Sequence, residues 1–185
     1  MEIENKNNLS KNELKIEELA KLNIIEMLAY IRKIDDEPTR FLTTKQVREI
    51  HLEQWKKNLK WRGMPHHLVM EVHPMFRNGF DQVFNASKKL EKVNVSAFNR
   101  VNQVLHNHHE TEDALWFPKL RRNHPEVKAE IDILEEDHKV LVTLEEKILQ
   151  GDIKSLSVFI EKLNDHLNRE ELITLPYLLD GTGGI

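Results

Sequence analysis

Cysteine is absent from the 185 residues. That one gap removes disulfide scaffolds, thiolate zinc sites, iron–sulfur ligation and thiol catalysis together. Glycine and proline number six each and aromatic residues make up 6%, which excludes collagen-like and strand-rich organisation. No apolar run approaches the roughly 18 residues that span a bilayer. The first twenty residues are charged and Asn-rich rather than basic and then apolar, so neither a signal peptide nor a membrane partner is expected, and the cytoplasm is the expected compartment. An excess of one charge is lacking too. Lys and Arg total 27 against 31 Asp and Glu, a net charge of −4, so no nucleic-acid partner is expected. Against these absences stand ten histidines. Without thiolate, any metal must be held by imidazole and carboxylate, a donor set that suits iron, manganese or zinc rather than Cu(I).

A hydrophobic content of 39% with 31% charged residues predicts an all-α fold, and the chain divides near Gly63. Residues 1–62 read as a small N-terminal helical appendage. One helix is expected from Ser10 to Ile34, with Ser10 and Glu13 as a capping box, and a second from Thr43 or Thr44 to Trp61. Residues 63–185 carry four long amphipathic segments: 65–90, 96–122, 125–150 and 152–179. Pro125 suits a first helical turn and Gly151 a helix end. Short connections between long helices predict an antiparallel up-down four-helix bundle.

Each helix must bury a stripe with steps of three and four residues. The second segment gives Val101, Leu105, His108, Glu112 and Leu115. The third gives Ile131, Leu134, His138, Leu141, Leu144 and Ile148. The fourth gives Leu156, Phe159, Leu163, His166, Glu170 and Ile173. The first gives Val69 or Met70, then His73, Phe76, Phe80 and Val83. One H-x-x-x-E is an ordinary surface pair, and one His on an apolar stripe is ordinarily a hydrogen-bonded core residue. Here the coincidence is larger, with four buried-face histidines and two buried-face glutamates at comparable depths on all four helices. Burying two carboxylates without partners would cost several kcal/mol each, and cations between them remove that cost. The candidate metal ligands are therefore His73, His108, Glu112, His138, His166 and Glu170. Four imidazoles and two carboxylates can serve two ions while leaving coordination positions open.

At these residues the sequence resembles the hemerythrin family, in the branch named for its His-His-Glu cation-binding motif. The resemblance is carried by VHPMFRNGF (72–80), HNHHETEDALWFPKL (106–120), ILEEDHKVL (133–141) and HLNREELITLPYL (166–178). It implies two non-haem Fe ions, bridged by Glu112 and Glu170 and open to an oxo or hydroxo bridge. Several residues depart from the oxygen carriers. Val142 stands where they place a second third-helix histidine, and Glu170 lies four residues after His166 where they have Asp five residues on. Glu171 has the five-residue spacing but falls off the apolar stripe. Pro74 disfavours α geometry at His73, which leaves His67 or His66 as substitutes. His109 and Asp113 form a competing register, with His109 expected to flank the site. Glu135 and His138 make one E-x-x-H without a second. His51, His106 and His124 read as polar-face residues, and Trp116, Phe117 and Pro118 as packing and a local kink.

The resemblance implies binding of a small diatomic or peroxidic ligand (O2, NO or H2O2) for sensing, scavenging or delivery. Turnover at the same site, as NO reduction, peroxide dismutation or iron–sulfur repair, is the enzymatic alternative. The repair proteins of the broader family carry a Cys-bearing segment that this sequence lacks. In a third reading the N-terminal helices form a regulatory module that engages a protein partner.

Overall fold

The computed structural model describes residues 14–183, and every regular element among them is helical. In the N-terminal region the break falls earlier and the second helix starts earlier than the sequence suggests. A single turn α1 (Ile16–Leu19) is followed by α2 (Ile24–Ile31) and α3 (Glu37–Trp55). Asn23 caps α2 by accepting from the Glu26 amide at 3.0 Å, so no continuous helix joins 16 to 34. The predicted Ser10–Glu13 box lies outside the described residues. Asp36, with Pro38 in the first turn, starts α3, its carboxylate accepting from the Thr39 amide at 2.9 Å. Thr43 and Thr44 lie inside that helix, and their hydroxyls donate back to the Thr39 and Arg40 carbonyls, a bond that competes with capping elsewhere.

Four long rods follow. In the first, α4 (Met64–His67) continues through a π-turn (Leu68–Val72) into α5 (His73–Leu90). In the second, α6 (Val95–Thr111) continues through a π-turn (Glu112–Trp116) into α7 (Phe117–Asn123). A 3-10 turn at Pro125–Val127 leads into α8 (Lys128–Leu149), and α9 (Ile153–Asp180) closes the chain. Asn94 and Asp152 cap α6 and α9, and Gly151 and Gly181 take the positive φ that ends α8 and α9.

Both π-turns have one cause visible in the sequence. Each is followed by an X-Pro step, His73-Pro74 and Phe117-Pro118, with the proline second in the next α-helix. A proline inside a helix has no N–H and its ring crowds the carbonyl four residues back. Widening the preceding turn to i→i+5 bonding relieves both without breaking the rod. His73 keeps helical dihedrals, φ −64° and ψ −42°. The extra residue also changes register. Leu115, expected on the buried stripe, is 68% exposed, and Trp116 is buried in its place. In the first rod Val69 is buried and Met70 exposed.

Around the four rods α5 packs on α6, α6 on α8, α8 on α9 and α9 on α5. Their apolar side chains form two clusters. One centres on Phe76, Phe80, Phe98 and Phe159. The other joins Leu68, Phe117, Ile131 and Leu172 to Met27, Leu28 and Val47 from the N-terminal helices, and α3 packs along α9. No helix among the described residues is long and apolar enough to cross a membrane.

Candidate metal centre

Between the two apolar clusters lies a layer of polar side chains. His73 leaves α5 between Val69 and Phe76, His138 leaves α8 between Leu134 and Leu141, and His166 and Glu170 leave α9 between Leu163 and Ile173. His108, His109 and Glu112 leave the second rod where α6 meets its π-turn. His108, whose side chain is 15% exposed, is half-buried, and the other six are buried.

Their donor atoms fall into two adjoining groups. His73, His108 and Glu170 form one, and His109, Glu112, His138 and His166 the other. Within each group one ligand atom per residue lies within 4.8 Å of the rest. Glu112 faces both, with Oε1 3.2 Å from His108 Nε2 and Oε2 3.5 Å from His138 Nε2. Glu170 Oε2 is 3.2 Å from His73 Nε2. These approaches lack the alignment of hydrogen bonds. Among the described residues, Nε2 of His73, His108 and His109 and both carboxylate oxygens of Glu112 and Glu170 are buried without a hydrogen-bond partner. Native structures ordinarily satisfy such atoms, and a cation is what imidazole and carboxylate lone pairs converging in this way would accept. The residues fit a metal.

The electrostatics agree. Burial, reinforced by neighbouring imidazoles, pushes His109 far below the usual histidine range. Burial likewise lowers His108 and His138, each to about 4. All three therefore stand neutral, the form that ligates. Burial beside Glu170 holds Glu112 well above the carboxylate range. Glu170 goes the other way: burial opposes its charge, but the imidazoles around it, His73 first, win and hold it ionised. For His73 burial is again outweighed, and Glu170 and Glu171 raise it to about 9.

Carboxylates behind the donors fix the rings. His73 Nδ1 lies 2.8 Å from Glu171 Oε1, His138 Nδ1 3.0 Å from Asp113, and His166 Nδ1 3.3 Å from Asp137. A carboxylate on the far nitrogen orients a ligating imidazole and raises its basicity. Two of those carboxylates are anchored in turn. Arg169 holds Asp137 at 2.6 Å, and Arg48 of α3 holds Glu171 at 2.6 Å with Arg77 at 3.5 Å.

A model of the hemerythrin HHE cation-binding domain matches residues 64–178. The chain belongs to that family. No curated protein and no solved structure matches it. All six candidate ligands of this hemerythrin-family chain fall in the two groups, and His109 joins them. His109 stacks on the His138 ring with centroids 3.8 Å apart. The adjacency of two histidines one turn before Glu112 was the signal for it. Other candidates take different places. Glu171 buttresses His73, His66 and His67 approach the exposed Glu71, and Val142 is 44% exposed. His106 pairs with Glu145 and His124 with Glu126. Glu135 faces Arg121.

Proposed function

We propose that residues 64–178 hold two iron ions side by side, one in each donor group, for binding O2, NO or peroxide. The observation that carries this is Glu112, whose two buried oxygens face the two groups separately. Iron, favoured over zinc or manganese by the family, would supply redox chemistry and an open coordination position when bound. The chain's own residues do the rest. Three imidazoles serve the group around His138 and two serve the group around His73, so the second group has fewer protein donors and is where an exogenous ligand has room. The two apolar clusters close off both groups along the bundle axis. The buttressing carboxylates hold each ring in its ligating orientation. Chain direction supports an antiparallel up-down four-helix bundle, because the rods run alternately from the Phe117 cluster to the Phe159 cluster and back.

The test is metal content and optical spectrum of protein grown with iron, before and after anaerobic reduction and exposure to O2. About two irons per chain, as the two groups require, with charge-transfer bands that bleach and return, is the expected result. Zinc alone, or no metal after iron-replete growth, overturns it.

A second reading is favoured by Arg48, the residue of the N-terminal helices that reaches Glu171 and through it His73. By that link α3 senses or biases the site, as a regulatory element facing a protein partner would.

A further inference from the structure

A cavity of about 530 Å³ opens between the first and second rods, against the outer side of the His73 group. That volume falls in the range of small-molecule sites, roughly 300–1,000 Å³. Its walls come from both π-turns. Leu68 and Val72 line it from the first, Leu115 and Trp116 from the second, and Met64 completes an apolar surface. Exposure orders the cavity from mouth to floor: Leu115 and Met64 lie open, Leu68 and Trp116 are buried, and His108 and Glu112 close the bottom. An apolar chamber this size exceeds what a diatomic ligand needs.

The mouth has a sign. Lys119 and Arg122 line it, at steps of four and three from Leu115 along one helical face. Among the described residues neither has an ion-pair or hydrogen-bond partner, whereas their neighbour Arg121 is held by Asp132 and Glu135. His67, also at the edge, already has Glu71 at 3.0 Å. Among the described residues, Glu112 at the floor is the one carboxylate that lines the cavity.

We propose that this cavity binds a single-chain amphipathic acid, its carboxylate on Lys119 and Arg122 and its apolar chain running inward along Leu68, Val72, Leu115 and Trp116 toward His108. This goes beyond the small-ligand role of the metal centre and does not depend on which metal is bound. Apolar walls select the chain by burial, and two cations at the mouth select the head by charge-assisted hydrogen bonds.

The experiment is calorimetric titration of the full chain as purified with decanoate, decanol and decyltrimethylammonium, with metal content measured on the same samples. Decanoate is expected to bind one per chain, at least about tenfold tighter than decanol, with the cation weakest. The surface variant Lys119→Gln/Arg122→Gln should lose about tenfold for decanoate and leave decanol and metal content unchanged. Leu115→Gln should weaken decanoate and decanol alike. The proposal is overturned if decanoate does not bind, if decanol binds equally well, or if the double variant leaves the preference intact. Recruitment to anionic vesicles without binding of free decanoate would assign the patch to a lipid surface and overturn it too. Loss of metal with decanoate binding retained would leave the cavity standing and count against the metal centre alone.

Discussion

Arg48→Met cuts the only described side-chain contact from the N-terminal helices to a carboxylate that holds a candidate ligand. Glu171 is fully buried, and Arg48 Nε and a terminal guanidinium nitrogen each lie 2.6 Å from its Oε2. Removing one partner of a buried pair typically costs about 3–5 kcal/mol. Two facts reduce that here. Arg77 stays 3.5 Å from Glu171, and the Arg48 side chain is 16% exposed, so water and Arg77 recover part of the loss. We expect a destabilisation of roughly 2–3 kcal/mol. At about 2–4 °C per kcal/mol for a chain of this length, the melting temperature should fall by roughly 4–12 °C. Most of that cost is the uncompensated charge on Glu171. Adding Glu171→Gln should therefore restore part of the stability, giving a coupling energy of about 1–2 kcal/mol in a double-mutant cycle. Glu171→Gln alone also weakens the hold on His73 Nδ1, and loss of such a partner typically lowers metal affinity about 10–100-fold. Denaturant titration gives the stabilities, and chelator competition the affinities. A melting-temperature change under about 1 °C for Arg48→Met, or strict additivity in the cycle, would refute the link between α3 and the site.

Three further outcomes follow from the geometry. His109→Leu, at a buried position, should keep the helical far-UV spectrum but lower metal content from about two to about one per chain, whereas His106→Leu should change nothing because His106 pairs with Glu145 instead; equal metal content in both variants would return His109 to a flanking role. Gly79→Ala should destabilise by about 1 kcal/mol, since helix propensity favours Ala by a similar amount but the new Cβ would sit 2.9 Å from Val101 Cγ1, an overpacking cost of about 1–3 kcal/mol; thermal melts of G79A with and without Val101→Ala decide it, the second change relieving the first. Metal uptake at pH 7 should release protons, because the metal-free chain carries them on His73, raised to about 9, and on Glu112, held well above the carboxylate range. Both must deprotonate to ligate, so affinity falls as pH is lowered, and calorimetry in buffers of different ionisation enthalpy should give different apparent heats. Identical heats would contradict it.

The rods were legible because their ends are written in residues with one conformational job. Asp152 caps α9, Gly151 takes the positive φ that closes α8, and Pro125 opens the turn before it. The start of α3 was misplaced because Thr43 and Thr44 have the chemistry of caps, yet their hydroxyls bond back into a helix already begun at Asp36. Stripe counting went astray in one specific way. From Glu112, α spacing reaches Leu115 and Trp116 equally well, and only the π-turn decides that Trp116 goes in and Leu115 out. Pro74 and Pro118 are the available signals, but disfavoured α geometry at His73 and a local kink at Pro118 do not by themselves predict the register change that the π-turns bring. Glu171, expected off the buried stripe, is fully buried because α3 packs along that side of α9, and what it faces could not be read from sequence, because it depends on where Arg48 arrives from that separate helix.

The adjacency of His108 and His109 shows why counting donors along one face falls short. Neighbouring residues on an α-helix point about 100° apart, so a stripe that buries His108 leaves His109 toward a flank. When two donor groups lie side by side, that divergence is useful. His108 turns to the group of His73 and Glu170, His109 to the group of His138 and His166, and Glu112, one turn on, faces both. On α9 the same division recurs, with His166 in one group and Glu170 in the other. The imidazole that Val142 cannot supply from α8 comes from α6, stacked on His138 at 3.8 Å. With Val142 44% exposed at that position, the His138 group still gathers three imidazoles, and the number of donors that converge there follows from which helix faces the group rather than from a fixed spacing on the third rod.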